Sequence, residues 1–261
     1  MNKRIFSILI VLAVCCTTYF VSKADVHIKV PIILYHNITE DQNLHGKPLL
    51  NISPGDFRLH MQTLKDEGWN TITFNDYYNH VINGTALPNK PIIISFDDGY
   101  LSNYIYAYPV LKELGMKATI FTVAGRVGEG VSNEVTYPHF TWEQAKEMEA
   151  SKVISIESHS LMHINFLETN DVDKIQVELR RSKYLIEKNL NKECAVFAFP
   201  FGGKTDLARD LGKEAGYKMI CLVGDIGANS AGEDLHRLKR ITIRGDESPE
   251  EMLETITKNL N

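Results

Sequence analysis

Residues 91–99 have the sequence Pro-Ile-Ile-Ile-Ser-Phe-Asp-Asp-Gly. The short β-branched run follows a turn-like segment, residues 87–90, and predicts a buried strand. Two adjacent carboxylates, Asp97 and Asp98, come where this strand ends. Buried charges are costly unless something compensates them, and a bound cation is the simplest compensation. The stretch therefore predicts a cation site at the end of a buried strand.

A second polar motif follows another apolar run, residues 153–156. Its histidines, His159 and His163, are four residues apart, so on one helical turn both imidazoles would face the same way. One aspartate and two histidines are a common ligand set for a catalytic divalent metal, with a position left open for water. Together the two motifs predict a metal-dependent hydrolase.

Apolar strand candidates alternate with helix candidates along the chain, which favours an α/β fold with a parallel sheet covered by helices. About eight strand candidates fit a closed or nearly closed barrel better than an open sheet. The Asp pair, the His pair and Pro200-Phe201-Gly202 all follow strand ends, so they are expected on one rim. The predicted strands are 30–35, 69–73, 91–94, 118–123, 153–157, 195–199, 217–223 and 239–243; the predicted helices begin near 53, 75, 101, 141, 171, 205 and 248.

The first 24 residues resemble an export signal. Lys3 and Arg4 precede an apolar run, and Ser22-Lys23-Ala24 offers small residues for cleavage. An uncleaved membrane anchor is the alternative, since 5–21 is at the short limit for a membrane helix. We therefore expect residues 1–24 to be a signal peptide or anchor, residues 25–261 to be one catalytic domain, and the protein to be secreted or extracytoplasmic. Membrane contact is expected only through this N-terminal segment.

The overall composition, with 44% hydrophobic and 23% charged residues, is typical of a globular protein. The formal net charge is −5, and no basic block is present, so nucleic acid is a poor candidate partner. Outside the leader the cysteines are Cys194 and Cys221, on two predicted strands. They could pair in an oxidising compartment or remain two buried thiols.

Ser95–Gly99 and His159–His163 resemble the Thr/Ser-Phe-Asp-Asp-Gly and His-Ser/Thr-x-x-His motifs of the polysaccharide deacetylases, the NodB-homology carbohydrate esterases. The resemblance covers roughly residues 30–245 and implies a distorted (β/α) barrel in a single domain. The opening segment 31–36 and the Phe-Pro-Phe-Gly loop at 199–202 look most like the branch that deacetylates poly-N-acetylglucosamine.

This resemblance also implies roles for individual residues. Asp97 would be the general base, and Asp98, His159 and His163 would bind one divalent metal, for which the mixed ligand set favours Zn²⁺. The backbone N–H of Phe201, which stands where the family has a Tyr, would stabilise the oxyanion. The substrate would be an acetylated polysaccharide, contacted by Pro200, Gly202, Tyr100 and His36.

Three features depart from the commoner family pattern. Ala198 stands where many members carry an Arg that orients the base, and neither an Asp-Trp nor a Leu-x-His motif occurs late in the chain. His236 follows His163 as the next histidine and is the candidate general acid; a shifted role for His36 is the alternative. Two other functions therefore stay open, an O-acetyl esterase of the xylan type and a non-catalytic glycan-binding relative.

Overall fold

The computed structural model describes residues 28–44, 49–130 and 137–260. The leader and its two cysteines lie outside these residues. In the part of the chain described, none of the helices has the length and apolar character needed to cross a bilayer.

A curved parallel sheet forms the centre of the fold. The strands are β1 (Ile32–Tyr35), β4 (Asn70–Thr71), β5 (Pro91–Phe96), β6 (Ala118–Thr122), β7 (Ile154–Ser158), β8 (Val196–Ala198), β9 (Met219–Cys221) and β10 (Ile241–Thr242). They are ordered β10-β1-β5-β6-β7-β8-β9, with β4 paired to the beginning of β5. A parallel bridge between Cys221 and Leu238 connects β9 to the segment leading into β10, so the sheet curls into a half-barrel. Two short strands, β2 (Asn37–Ile38) and β3 (Asn51–Ile52), pair separately.

Helices cover the outside of the half-barrel, and their ends follow local sequence signals. Ser53, Thr73, Thr141 and Ser248 each accept a hydrogen bond from a first-turn backbone N–H. The helices are α1 (Pro54–Asp66), α2 (Phe74–Asn83), α3 (Tyr108–Leu114), α4 (Trp142–Ala150), α5 (Val172–Leu190), α6 (Asp206–Glu214) and α7 (Pro249–Lys258). A π-helical turn, Asn103–Ala107, precedes α3.

This architecture confirms the predicted α/β barrel-type fold. The main core lies between the sheet and helices such as α1, whose Phe57, Met61 and Leu64 are fully buried beside Ile33 and Ile94. Strands β1, β5 and β6 are buried on both faces, which explains the continuous apolar runs in the sequence. All the parallel strands therefore present their carboxyl ends at one rim.

Cys194 and Cys221 are both buried and free, so the two thiols remain unpaired. Burial raises the pKa of each thiol, and the thiolate is the reactive form. They therefore contribute to packing.

Candidate active site

The Asp-Asp pair lies where β5 ends, in a tight backbone turn. Asp98 and Gly99 both have left-handed backbone angles, with φ of 72° and 78°. A Cβ at Gly99 would lie 2.3 Å from Thr122 Oγ1, so only glycine fits there. The turn lets the two adjacent carboxylates reach different partners.

Asp97 is held by an arginine that comes late in the chain. Arg240 Nη1 and Nη2 donate to Asp97 Oδ1 and Oδ2 at 2.7 and 2.8 Å, a two-pronged ion pair. Arg240 Nε donates to the carbonyl of Leu222. The arginine is only 1% exposed, and its guanidinium lies over the ring of Phe121 at 5.4 Å. The position of the Asp97 carboxylate is therefore fixed by a rigid partner.

The charges around Asp97 favour its ionised form. Burial would raise the pKa of the Asp97 carboxyl, but Arg240 and His159 together outweigh burial and lower this pKa. Asp97 is consequently a carboxylate at neutral pH and can accept a proton. Arg240 is thus a site residue that sequence reasoning missed.

Asp98 faces the two histidines. His163 Nε2 lies 3.1 Å from Asp98 Oδ1, and His159 Nε2 lies 3.6 Å from the same oxygen. Burial would raise the pKa of Asp98, yet the hydrogen bond and charge of His163 keep it well below its ordinary value. Asp98, His159 and His163 thus bring one carboxylate oxygen and two ring nitrogens together.

His159 is oriented by a backbone carbonyl. Its Nδ1 lies 2.9 Å from the carbonyl oxygen of Ala198, at the end of β8. This contact places the proton on Nδ1 and leaves the Nε2 lone pair directed at the cluster. Burial lowers the pKa of His159 to about 4, so the imidazole is neutral at pH 7. Neutral imidazole is the form that binds metals.

The helical turn predicted for His159–His163 is wrong. Residues 159–165 form a loop after β7, in which Ser160 and His163 have left-handed backbone angles. Glu178 of α5 holds this loop, because its Oε2 accepts hydrogen bonds from the backbone N–H groups of Leu161 and Met162, each at 2.9 Å. The histidines converge through this loop geometry.

We expect Glu178→Ala to weaken metal binding at the cluster. The substitution removes two partly buried hydrogen bonds that hold the loop, and loss of such supporting contacts costs about 10- to 100-fold in metal affinity. Zinc affinity measured by competition with a chromophoric chelator checks this. Glu187→Ala, more than two turns along the same helix, is the matched control; equal affinities in the two variants would contradict the role given to Glu178.

The residues present fit a divalent cation. The ligand atoms of Asp98, His159 and His163 all lie within 4.8 Å of one another. The two nitrogen–oxygen distances suit a cation with bonds of about 2.0–2.1 Å. An ionised carboxylate and a neutral imidazole with a free Nε2 are also the protonation states that metal ligation requires.

His36 lies beside this cluster at the end of β1. Tyr35 pairs with Phe96, which places His36 alongside Asp97 across the sheet. Its charge contributes to the low pKa of both aspartates, and its carbonyl accepts a hydrogen bond from Asn103 Nδ2 in the π-helical turn. His36 is half-buried at the same rim.

The Pro200-Phe201-Gly202 loop reaches the cluster from the end of β8. Phe201 has a left-handed backbone with φ of 57°, and its ring lies 4.5 Å from that of His163. Pro200 is buried. A Cβ at Gly202 would lie 2.8 Å from the carbonyl oxygen of Val223, so the loop depends on glycine there.

Tyr100 stands against Tyr137 and His139, with ring centroids 4.8 and 5.5 Å away. Burial and the charge of Asp98 raise the pKa of Tyr100, so its hydroxyl stays protonated. His139 is buried, and burial lowers its pKa to about 4. Sequence reasoning missed His139, which has no motif around it.

His236, the candidate general acid from the sequence, is not brought to the cluster. Its Nε2 lies 3.0 Å from the carbonyl oxygen of Tyr217, which precedes β9, and its Nδ1 faces Asp234. This position is at the amino ends of the strands, opposite the Asp-His rim. The expectation that His236 transfers a proton at the cluster is therefore wrong. The contacts of His236 are structural.

Comparisons with known proteins agree with this geometry. The sequence model of the polysaccharide deacetylase family matches residues 84–220. A Bacillus subtilis (strain 168) protein that bears the name polysaccharide deacetylase, YxkH, is 32% identical over 223 residues, which cover 85% of this chain and 74% of the relative. The poly-beta-1,6-N-acetyl-D-glucosamine N-deacetylase of Staphylococcus aureus is 26% identical; the match covers 64% of this chain and 59% of that protein.

Solved structures show the same fold. The Streptococcus pyogenes deacetylase PplD, in complex with acetate, superposes with a TM-score of 0.78 at 29% identity, covering 88% of this chain and 98% of that one. Bacillus anthracis BA0330 gives a TM-score of 0.76 at 28% identity, covering 88% and 69%. The family model spans both the Asp-Asp turn and the histidine loop, and the chain belongs to the polysaccharide deacetylase family.

Proposed function

We propose that this protein is a metal-dependent hydrolase that removes N-acetyl groups from an extracellular or cell-envelope polysaccharide, with poly-N-acetylglucosamine as the favoured substrate class. The observation that carries the proposal is that two adjacent carboxylates have different partners. Asp98 faces two histidines, whereas Asp97 is held by Arg240. The relatives named as N-deacetylases support the substrate class.

Asp98, His159 and His163 would hold the cation, most consistent with Zn²⁺. When bound, it would polarise the acetyl carbonyl and make water a better nucleophile at neutral pH. The protein's own groups then handle the protons and the developing charge.

Asp97 takes the proton of the attacking water. Each carboxylate oxygen has two acceptor sites, so the two hydrogen bonds from Arg240 leave capacity for that proton. The water oxygen forms a bond to the acetyl carbon, and the carbonyl becomes a tetrahedral oxyanion. The backbone N–H of Phe201 is proposed as a donor to this oxyanion.

Collapse of the tetrahedral species breaks the carbon–nitrogen bond and releases acetate. The leaving nitrogen needs a proton, and His36 is proposed as its donor because it lies beside Asp97 at the rim. Pro200, Gly202 and Tyr100 would shape the acetyl-sugar site around these groups. The products are acetate and a free amino sugar.

Acetate release from defined substrates tests this function. The purified protein is stripped with a chelator, reloaded with Zn²⁺ and incubated with β-1,6- and β-1,4-linked N-acetylglucosamine oligomers and with O-acetylated xylan. We expect acetate from the N-acetylated oligomers, loss of activity after chelation and recovery with Zn²⁺.

The Asp98→Ala variant is expected to lose both bound zinc, measured by elemental analysis, and activity. Preference for O-acetylated xylan would establish the esterase instead. Glycan binding without acetate release from any substrate, with zinc bound, would establish the non-catalytic alternative.

We also propose an extracytoplasmic location, supported by the basic and apolar pattern of residues 1–24. N-terminal sequencing of the protein recovered from the culture medium and from the membrane fraction distinguishes a cleaved signal from an anchor.

A further inference from the structure

We propose that the amino-end face of the half-barrel docks on an anionic bilayer surface, so that the rim with the candidate site faces away from the membrane. The amino-end face is the end of the sheet at which the strands begin, opposite the Asp-His rim. This contact goes beyond the one expected through residues 1–24, and it rests on the proposed extracytoplasmic location for the identity of the surface.

Lysines are concentrated at the amino-end face. Every strand of the main sheet except β4 has a lysine among the four residues that precede it, whereas Asp66 and Glu67 precede β4. At the rim, the four residues that follow each of these strands are all described by the structure, and none of them is a lysine. The chain as a whole has a formal net charge of −5, so the basic charge of this face stands out on an acidic protein. The lysines are Lys29, Lys90, Lys117, Lys152, Lys192, Lys218 and Lys239.

Four of these lysines form a lysine row that no carboxylate neutralises. Lys29, Lys90, Lys117 and Lys152 precede β1, β5, β6 and β7, which are consecutive in the sheet. Neighbouring strands lie about 4.8 Å apart, so the row extends over about 15 Å. All four residues are exposed, and within the described part of the chain none of them forms an ion pair. The lysines before β8, β9 and β10 each pair with a glutamate instead.

A tryptophan lies beside the lysine row. Trp69 is half-buried and precedes β4, which pairs with the beginning of β5, and Lys90 Nζ lies 6.0 Å from the centroid of the Trp69 ring. Lys90 Nζ also donates to the carbonyl oxygen of Glu67 at 2.7 Å, a contact that leaves its positive charge in place. Ile82, near the end of α2 where the chain returns to this face, is 56% exposed. Lysines with a half-buried tryptophan are typical of surfaces that meet lipid headgroups.

The N-terminal segment joins the domain at the same face. The backbone N–H and C=O groups of Val30 both bond to Asn229, at 2.8 and 3.0 Å, so the chain enters β1 from the amino-end face. Residues 22–27 separate the apolar run 5–21 from the domain, and a stretch of that length can span at most about 25 Å. An anchor formed by residues 5–21 would therefore hold the amino-end face, and not the rim, next to the bilayer.

This orientation would place the candidate site on the far side of the domain. β5 has six residues, and a strand of that length rises by about 20 Å. The Asp-Asp turn at the end of β5 is thus separated from the lysine row by the height of the sheet. The site would open toward the surrounding polymer and away from the lipid.

The two tryptophans of the chain allow the orientation to be measured. Trp142 lies at the rim end, because the backbone N–H of Phe140 donates to the carbonyl oxygen of Gly99, next to the Asp-Asp turn. Trp142→Phe leaves Trp69 as the fluorophore, and Trp69→Phe leaves Trp142. Each full-length variant, with its fold verified by circular dichroism, is bound to vesicles of phosphatidylglycerol and phosphatidylcholine that contain a headgroup-nitroxide lipid, and the bound protein is isolated by flotation. Since a nitroxide quenches tryptophan at short range, we expect quenching of Trp69 to exceed that of Trp142 several-fold.

Charge substitutions test the lysine row itself. Lys117→Glu/Lys152→Glu, made in Trp142→Phe, is expected to lower the quenching of Trp69 to the level of Trp142. A salt concentration of about 1 M should do the same, since it shortens the Debye length to about 3 Å. The matched control Lys146→Glu/Lys174→Glu makes an equal change of charge at two exposed lysines of α4 and α5, and its Trp69 should stay quenched.

Stronger quenching of Trp142 than of Trp69 would overturn the proposal, because the rim would then face the lipid. Equal quenching of the two would overturn it as well. So would quenching of Trp69 that changes neither with the phosphatidylglycerol content nor with Lys117→Glu/Lys152→Glu. No glycan and no zinc enter the measurement, so each of these results leaves the proposed hydrolysis to be decided by acetate release.

Discussion

Asp97→Asn is expected to lower kcat for acetate release by about 10²- to 10⁴-fold, the usual contribution of a positioned general base. The amide cannot accept the proton of the attacking water, although its shape is that of the carboxylate. Bound zinc should stay at the wild-type stoichiometry, because Asp98, His159 and His163 are unchanged. Steady-state kinetics and elemental analysis of the same preparation measure both quantities.

Two controls separate the chemistry from folding. Asp97→Asn leaves the buried Arg240 without a full counter-charge, so its folded fraction is verified by circular dichroism at the assay temperature. Asp225→Asn changes an exposed carboxylate that pairs with Lys204, and its kcat should stay within about twofold of wild type. A kcat for Asp97→Asn close to that of Asp225→Asn would remove Asp97 from the mechanism.

Of the variants proposed, Arg240→Met is expected to lower the free energy of unfolding most, and it should also lower kcat. Removing one partner of a buried ion pair costs about 3–5 kcal/mol, because the remaining charge stays buried and unpaired. Asp97 would also lose the two guanidinium hydrogen bonds that fix its two oxygens. Urea unfolding at pH 7 and steady-state kinetics measure the two effects.

The double variant Asp97→Asn/Arg240→Met tests the cause of the instability. It buries neither charge, so it should be more stable than Arg240→Met alone. Arg240→Lys keeps the positive charge but cannot make the two-pronged contact, and it replaces the methionine variant if that variant does not fold. We expect Arg240→Lys to have a reduced kcat with little change in KM. Wild-type kcat in Arg240→Lys would show that two-pronged positioning of Asp97 is unnecessary.

The fold could be predicted from the sequence because central strands such as β1, β5 and β6 are apolar on both faces and most helices begin at a Ser, Thr or Asp N-cap. Asp97 and Asp98 follow directly from the end of β5, and the approach of His159 to them follows from the shared rim of parallel strands. The positions of these three residues can therefore be predicted from local sequence patterns and from one topological rule, that parallel strands end at a shared rim.

Other features depend on contacts between distant segments, which no local pattern encodes. Arg240 is flanked by residues typical of any strand, and its role appears only because β10 pairs with β1, next to β5. The histidine spacing suggested a helix because nothing near it indicates the hydrogen bonds that Glu178 makes to the loop. The sequence favours His236 only because it is the next histidine after His163.

The order of the chain has a consequence for when this centre becomes complete. Both Arg240 and His36 lie outside residues 84–220, the part that matches the family. A fragment with those limits would contain the proposed cation ligands and would still bury Asp97 without its guanidinium partner. During synthesis, likewise, Arg240 follows Asp97 by 143 residues, so the carboxylate meets its counter-ion long after β5 and the histidine loop have been made.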